Sequence, residues 1–158
     1  MNINNFLKHA EKKEFFETLG RKVKASEVSE IEIQLAITLP QTYKELISEV
    51  GWVGWFGVSI FGVGEDKQED TLLRTHAQKE LTKKFAHQLP PMPKNGNIIA
   101  EIFGGGFCFL YSMESERAGQ ISAHPPDERY QEVQYWDRLE DYFDYLIHDV
   151  HNWHSVEL

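Results

Sequence analysis

Leu39 and Pro40 constrain this chain most, because they stand between two helical patterns and force the backbone to break there. Upstream, Val28, Ile31, Leu35 and Ala36 recur at three- and four-residue spacing, the stripe of a core-facing helix, and Ser26 or Ser29 can cap its start. Proline lacks an amide hydrogen and pushes the preceding residue toward extended backbone. The first helix therefore ends before Leu39, and Pro40 is placed as the first residue of a second. Tyr43, Leu46, Ile47 and Val50 continue the apolar stripe, and Gly51 offers the left-handed stop. The reading is two helices joined by a very short connection, then a Gly/Trp-rich loop from Trp52 to Gly57 and a strand around Val58 to Val63.

Elsewhere the patterns are plainer. Phe6, Leu7, Ala10, Phe15 and Phe16 give an apolar side to an N-terminal helix over Asn5 to Leu19, with Gly20 as its stop. Leu72, Leu73, Ala77 and Leu81 predict a further helix, and the prolines between Gln88 and Asn97 predict a surface loop. Asn97 to Ile102 and Phe107 to Ser112, parted by Gly104, Gly105 and Gly106, read as a hairpin. Gly119 to Ala123 and Tyr130 to Tyr135 are further strand candidates. A closing helix runs from Asp137 to about His151 with Leu139, Tyr142, Phe143, Leu146, Ile147 and Val150 inward. Helices, then a meandering antiparallel sheet, then a helix define an α+β chain.

The run from Glu27 to Gly64, a capped helix, Leu39-Pro40, Tyr43, an apolar helix, a glycine stop and a strand ending in Phe61 and Gly62, resembles the SUKH superfamily. Its Smi/Knr-type members include bacterial immunity proteins and fungal regulators of cell-wall synthesis. The C-terminal half fits by element order alone: strands, then an acidic closing helix. The resemblance implies one domain over residues 1–158, with helices packed on one side of a mainly antiparallel sheet. It also implies a binding domain without an active site, so no catalytic residues, metal or cofactor are carried over. The partner it implies is a cognate toxin protein.

Charge adds a physical hint. Between Met113 and Leu158 there are eleven carboxylates against three arginines, so nearly all of the net charge of −9 belongs to the last third. Such a field repels phosphate backbones and attracts basic surfaces, which argues against nucleic acid and for a basic protein partner; the plainer reading is an acidic face that keeps the chain soluble. On the closing helix, Asp137, Glu140, Asp141 and Asp144 lie away from the apolar stripe and form one candidate binding surface. Trp52 and Trp55 form the other: glycine-punctuated tryptophans serve either as a core roof or as binding anchors. The single Cys108 excludes an internal disulfide. With no signal peptide and no apolar run long enough for a membrane, the expected location is the cytoplasm.

Other chemistry is weaker. Gly104 to Gly106 lack the helix and lysine of a phosphate loop. Cys108 sits in an apolar run and reads as a core thiol. Asp144, His148, His151 and His154 are spaced for a weak metal site, but histidines also suit a helix C-terminus on dipole grounds alone. The leading reading is a non-enzymatic immunity or antitoxin protein that neutralises a toxin domain by contact. The alternatives are a regulatory or scaffolding module and, third, a small metal-dependent hydrolase.

Overall fold

The computed structural model describes residues 1–55, 57–64, 70–102, 105–126 and 130–149. In chain order they form α1 (Ile3–Ala10), β1 (Glu17–Thr18), α2 (Ala25–Leu35), α3 (Gln41–Val50), β2 (Val53–Trp55), β3 (Val58–Ile60), α4 (Thr71–Lys84), β4 (Gly96–Ile102), β5 (Gly106–Tyr111), β6 (Ile121–His124), β7 (Gln134–Trp136) and α5 (Leu139–His148). The fold is α+β. Its strands divide into two antiparallel sheets, β1-β2-β3 and β4-β5-β6-β7.

The break between α2 and α3 falls at Leu39-Pro40. Ala36 turns into the left-handed region at φ 54°, and the Ile37 amide closes back on the Glu32 carbonyl at 3.0 Å. Pro40 is extended at ψ 142° and caps α3 from outside, its carbonyl accepting the Lys44 amide at 3.1 Å, so the helix starts at Gln41, one residue later than the sequence suggests. Neither Ser26 nor Ser29 caps α2. Lys24 occupies that position, and Glu27 reaches back to accept its amide at 3.3 Å while also binding Arg21. This is the carboxylate half of a capping box.

Three expectations change. The N-terminal helix stops at Ala10 instead of Leu19. Phe15 turns to a positive φ of 59° and stands 68% exposed, so Glu17 and Thr18 can pair with Gly54 and Val53 as a strand. The Trp/Gly segment is correspondingly a strand for much of its length, because β1 and β3 pair with its two edges. On α4 the buried positions are Thr71 and Thr75, while Leu73 and Leu81 are exposed. The threonine hydroxyls explain that rotation: Thr71 meets the Tyr43 hydroxyl at 2.7 Å, and Thr75 accepts the Ile98 amide at 3.0 Å.

One core joins the helices to both sheets. Phe6 of α1 stacks on Phe143 of α5 at 4.2 Å between ring centroids, and Trp136 meets Tyr142 edge-on at 4.8 Å. In β5, Cys108 and Leu110 face this core, whereas Phe107 and Phe109 face the other side, where Phe61, Ile98 and Met92 join them. Ile98 faces the Phe109 side, and a bulge between Ile98 and Ala100 turns the consecutive residues Ile99 and Ala100 both into the main core. The Ile99 carbonyl accepts the Phe61 amide at 2.6 Å and so ties the two sheets together. Near that joint a Cβ on Gly62 would lie 2.0 Å from the Gly51 carbonyl, so only glycine permits this approach.

Candidate functional site

The sequence places the acidic surface on α5, and the structure divides it. Asp144 accepts the Met1 ammonium at 2.7 Å, Asp141 pairs with Arg138 at 3.2 Å, and Asp137 accepts the Gln120 side-chain amide at 3.0 Å. Glu140 behaves differently. Its carboxylate accepts the Thr42 hydroxyl at 3.1 Å and lines a cleft of about 780 Å³ formed by α1, α2, α3 and the start of α5.

Three glutamates from other helices share this cleft: Glu32 on α2, and Glu45 and Glu49 on α3. Glu45 and Glu49 are one helical turn apart and therefore stand on the same face. Lys44 is the single cation along the described lining, and it is turned toward Glu32 at 3.7 Å. Glu32 also accepts the Leu39 amide at 2.9 Å, so it belongs partly to the α2–α3 corner. Glu45 binds Gln41 at 3.0 Å, and Glu49 faces Lys22 at 3.5 Å across two exposed side chains, a contact water largely screens.

The cleft runs on through Ser29 and Glu32 to a shallow hollow that includes Ile33 and Glu114. Ile33 stands 71% exposed. Glu114 accepts the Thr38 amide at 3.1 Å, and hydrogen bonding to Thr38 draws its carboxyl down to about 2, so it is charged across the physiological range. The surface thus offers an apolar contact beside a ring of carboxylates, suited to a protein partner with basic side chains. Sequence reasoning found Glu140 but missed Glu32, Glu45 and Glu49. The spacing of Glu45 and Glu49 was a usable signal, yet nearby lysines hide it in a segmental charge count.

The tryptophans fall elsewhere. Trp55 is 5% exposed and packs against Phe6 with ring centroids 5.9 Å apart, which makes it a core residue. Trp52 is half-buried, and the indole N–H groups of both are buried without a protein acceptor. Only part of the Trp52 ring is left for a partner.

One constellation resembles catalytic machinery. The Nε2 of His124 lies 2.9 Å from the Ser122 hydroxyl, and its Nδ1 donates to the Tyr130 carbonyl at 2.9 Å, a base held between a hydroxyl and an orienting acceptor. Ser122, however, is 0% exposed and also bonded to the Tyr111 hydroxyl at 3.2 Å, so no substrate can reach its oxygen in this state. Cys108 is equally enclosed, and burial pushes its thiol up to about 11. Among the described residues no group of three histidine, cysteine or carboxylate side chains is placed to hold a metal, and His148 stands next to His9 at 6.2 Å between rings. His151 and His154 lie outside the described residues. No described helix is long and apolar enough to cross a membrane.

Fold and site together define an α+β domain with an acidic cleft on its helical face. The model of the SUKH_6 family, described as SMI1-KNR4 cell-wall, matches residues 25–143, and the chain belongs to that family. The match runs from α2 into the first half of α5 and leaves out α1, which supplies one wall of the cleft. No curated protein matches the chain.

Proposed function

We propose that this protein is a non-enzymatic, immunity-type binding protein that neutralises a toxin domain by direct contact. Its partner is basic and seats on the helical cleft, with Ile33 as the apolar anchor and Glu45, Glu49 and Glu140 as the charged ring. The observation that carries this reading is the gathering of those carboxylates from separate helices into one cleft on a SUKH fold. Asp137, Asp141 and Asp144 contribute to the field around the cleft without lining it, and Trp52 sits outside it. The protein works in the cytoplasm, without cofactor, and engages neither nucleic acid nor membrane.

The family's cell-wall description supports a second reading, a regulatory or scaffolding module that uses the same cleft for a resident partner. Co-purification from the native cell followed by mass spectrometry separates the two. Immunity predicts a basic protein that is toxic when expressed alone and harmless when co-expressed with this chain. A partner that is harmless by itself supports scaffolding, and a toxic partner that co-expression fails to silence refutes neutralisation.

A further inference from the structure

A second concave surface lies away from the acidic cleft. The outer half of α4 is poorly covered: its buried residues, Thr71 and Thr75, both lie in the first half, while Leu81 is 45% exposed and Phe85, just past the helix, 39%. Gln78 and Leu81, three residues apart on one side of α4, line a groove of about 270 Å³. The groove's other walls are the 89–93 segment, with Pro90, Pro91 and Pro93, and the sheet face carrying Phe107, Phe109 and His124.

This groove is preformed. The His124 ring stands edge-on to Phe109 at 5.0 Å and is pinned by its bonds to Ser122 and Tyr130, while the prolines fix the opposite wall. A partner therefore has little ordering to do on binding, the condition under which a small apolar site repays its area. The volume is below that of a typical drug-sized ligand site and suits one or two side chains. Charge narrows the class further. No described lining residue is a carboxylate, and of the cations between Thr71 and Asn97, Arg74 is paired with Glu101 at 2.8 Å and Lys83 with Glu80 at 3.3 Å, which leaves Lys79, Lys84 and Lys94 to set the sign. Arg74, at the inner end, lies 5.9 Å over the Phe107 ring.

We propose that this groove docks a segment of a partner protein in which an apolar side chain is flanked by carboxylates. Leu81, Phe107 and Phe109 take the apolar group, and Lys84 and Lys94 attract the flanks. The charge preference is opposite to that of the helical cleft, so the two surfaces can hold different chains, or different parts of one chain, and the proposal does not depend on which protein fills the cleft.

The test is selection of an unbiased library of 12-residue phage-displayed peptides on the whole protein, followed by binding of the winning synthetic peptides to wild type, Leu81→Asp and Lys84→Glu/Lys94→Glu. All three altered side chains are exposed, and circular dichroism verifies that the variants fold. Enriched peptides should carry Leu, Ile, Met, Phe or Trp next to Asp or Glu. Leu81→Asp should weaken them about ten-fold or more, the double variant several-fold, and salt should weaken wild-type binding. The proposal is overturned if nothing is enriched, if the winners lack acidic residues, or if they bind Leu81→Asp as well as wild type. Leu81-dependent self-association in sedimentation would also overturn it, because the occupant would then be a second copy.

Discussion

The Tyr43 hydroxyl donates to the main-chain carbonyl of Phe61 at 2.5 Å, deep in the core and 18 residues away in sequence. A carbonyl only accepts, so the phenolic proton is committed there, and the neighbouring Thr71 hydroxyl at 2.7 Å must be the donor to Tyr43. One side chain thereby fixes α3 to the end of the first sheet and to the start of α4. Burial also pushes the phenol's pKa up, which keeps it protonated and able to donate.

Tyr43→Phe keeps the ring and removes this junction, leaving the Phe61 carbonyl and the Thr71 hydroxyl buried without it. The expected cost is about 1–3 kcal/mol, and Tyr43→Ala, which also leaves a cavity, about 3–5 kcal/mol. Urea unfolding with an unchanged slope measures both. A Tyr43→Phe midpoint equal to wild type would show that the hydroxyl adds nothing to stability.

This junction was partly legible in the sequence. Leu39-Pro40 followed by an apolar stripe dictates a broken helix pair by local sterics alone, and local rules of that kind can be read from residues. The strand formed by Glu17 and Thr18 could not be read, because its partner Val53–Gly54 is distant in the chain and the nearby Phe15 and Phe16 imitate a continuing helix. The inward face of α4 is hidden from the sequence for a related reason: Thr71 and Thr75 look polar until Tyr43 and the Ile98 amide supply their partners. The acidic cleft was hidden most completely, since its carboxylates become neighbours only when α2, α3 and α5 pack.

Acid stability should report the contact between Thr38 and Glu114. The Glu114 carboxyl is drawn from its ordinary value of 4.5 to about 2, so its contribution is fully present above about 4.5 and is lost as the pH falls toward 2. Glu114→Gln should therefore melt below wild type at pH 7, with the gap closing between pH 4.5 and 2. Thermal melts across that range decide the matter, and a gap that stays constant with pH would assign the effect to shape instead of charge.

Cys108 should behave as a core thiol. Burial raises its pKa to about 11, so little thiolate exists at neutral pH, and reagent access requires opening of the β5 core. Labelling with a thiol-reactive chromophore should be at least about 100-fold slower in native protein than in urea. Prompt stoichiometric labelling of the native state would reopen the question of a reactive cysteine.

The helical cleft makes the most demanding prediction, because it must separate two acidic surfaces on the same molecule. Glu49 lies in the last turn of α3, where the helix dipole favours lysine over a negative charge and so offsets the loss of its screened contact with Lys22, and Glu45 binds only a surface glutamine. Glu45→Lys/Glu49→Lys should thus change stability by about 0.5 kcal/mol or less. If a basic partner seats in the cleft, the same pair should slow association about ten-fold at low salt and flatten the salt dependence of the wild-type on-rate. Asp137→Lys/Asp141→Lys changes the net charge equally but lies outside the cleft lining, so it should slow association far less. Stopped-flow kinetics with the co-purified partner compares the two. A larger effect from the α5 pair would return the interface to the closing helix, and on-rates unchanged in both would remove acidic steering and leave the exposed part of Trp52 to be tested.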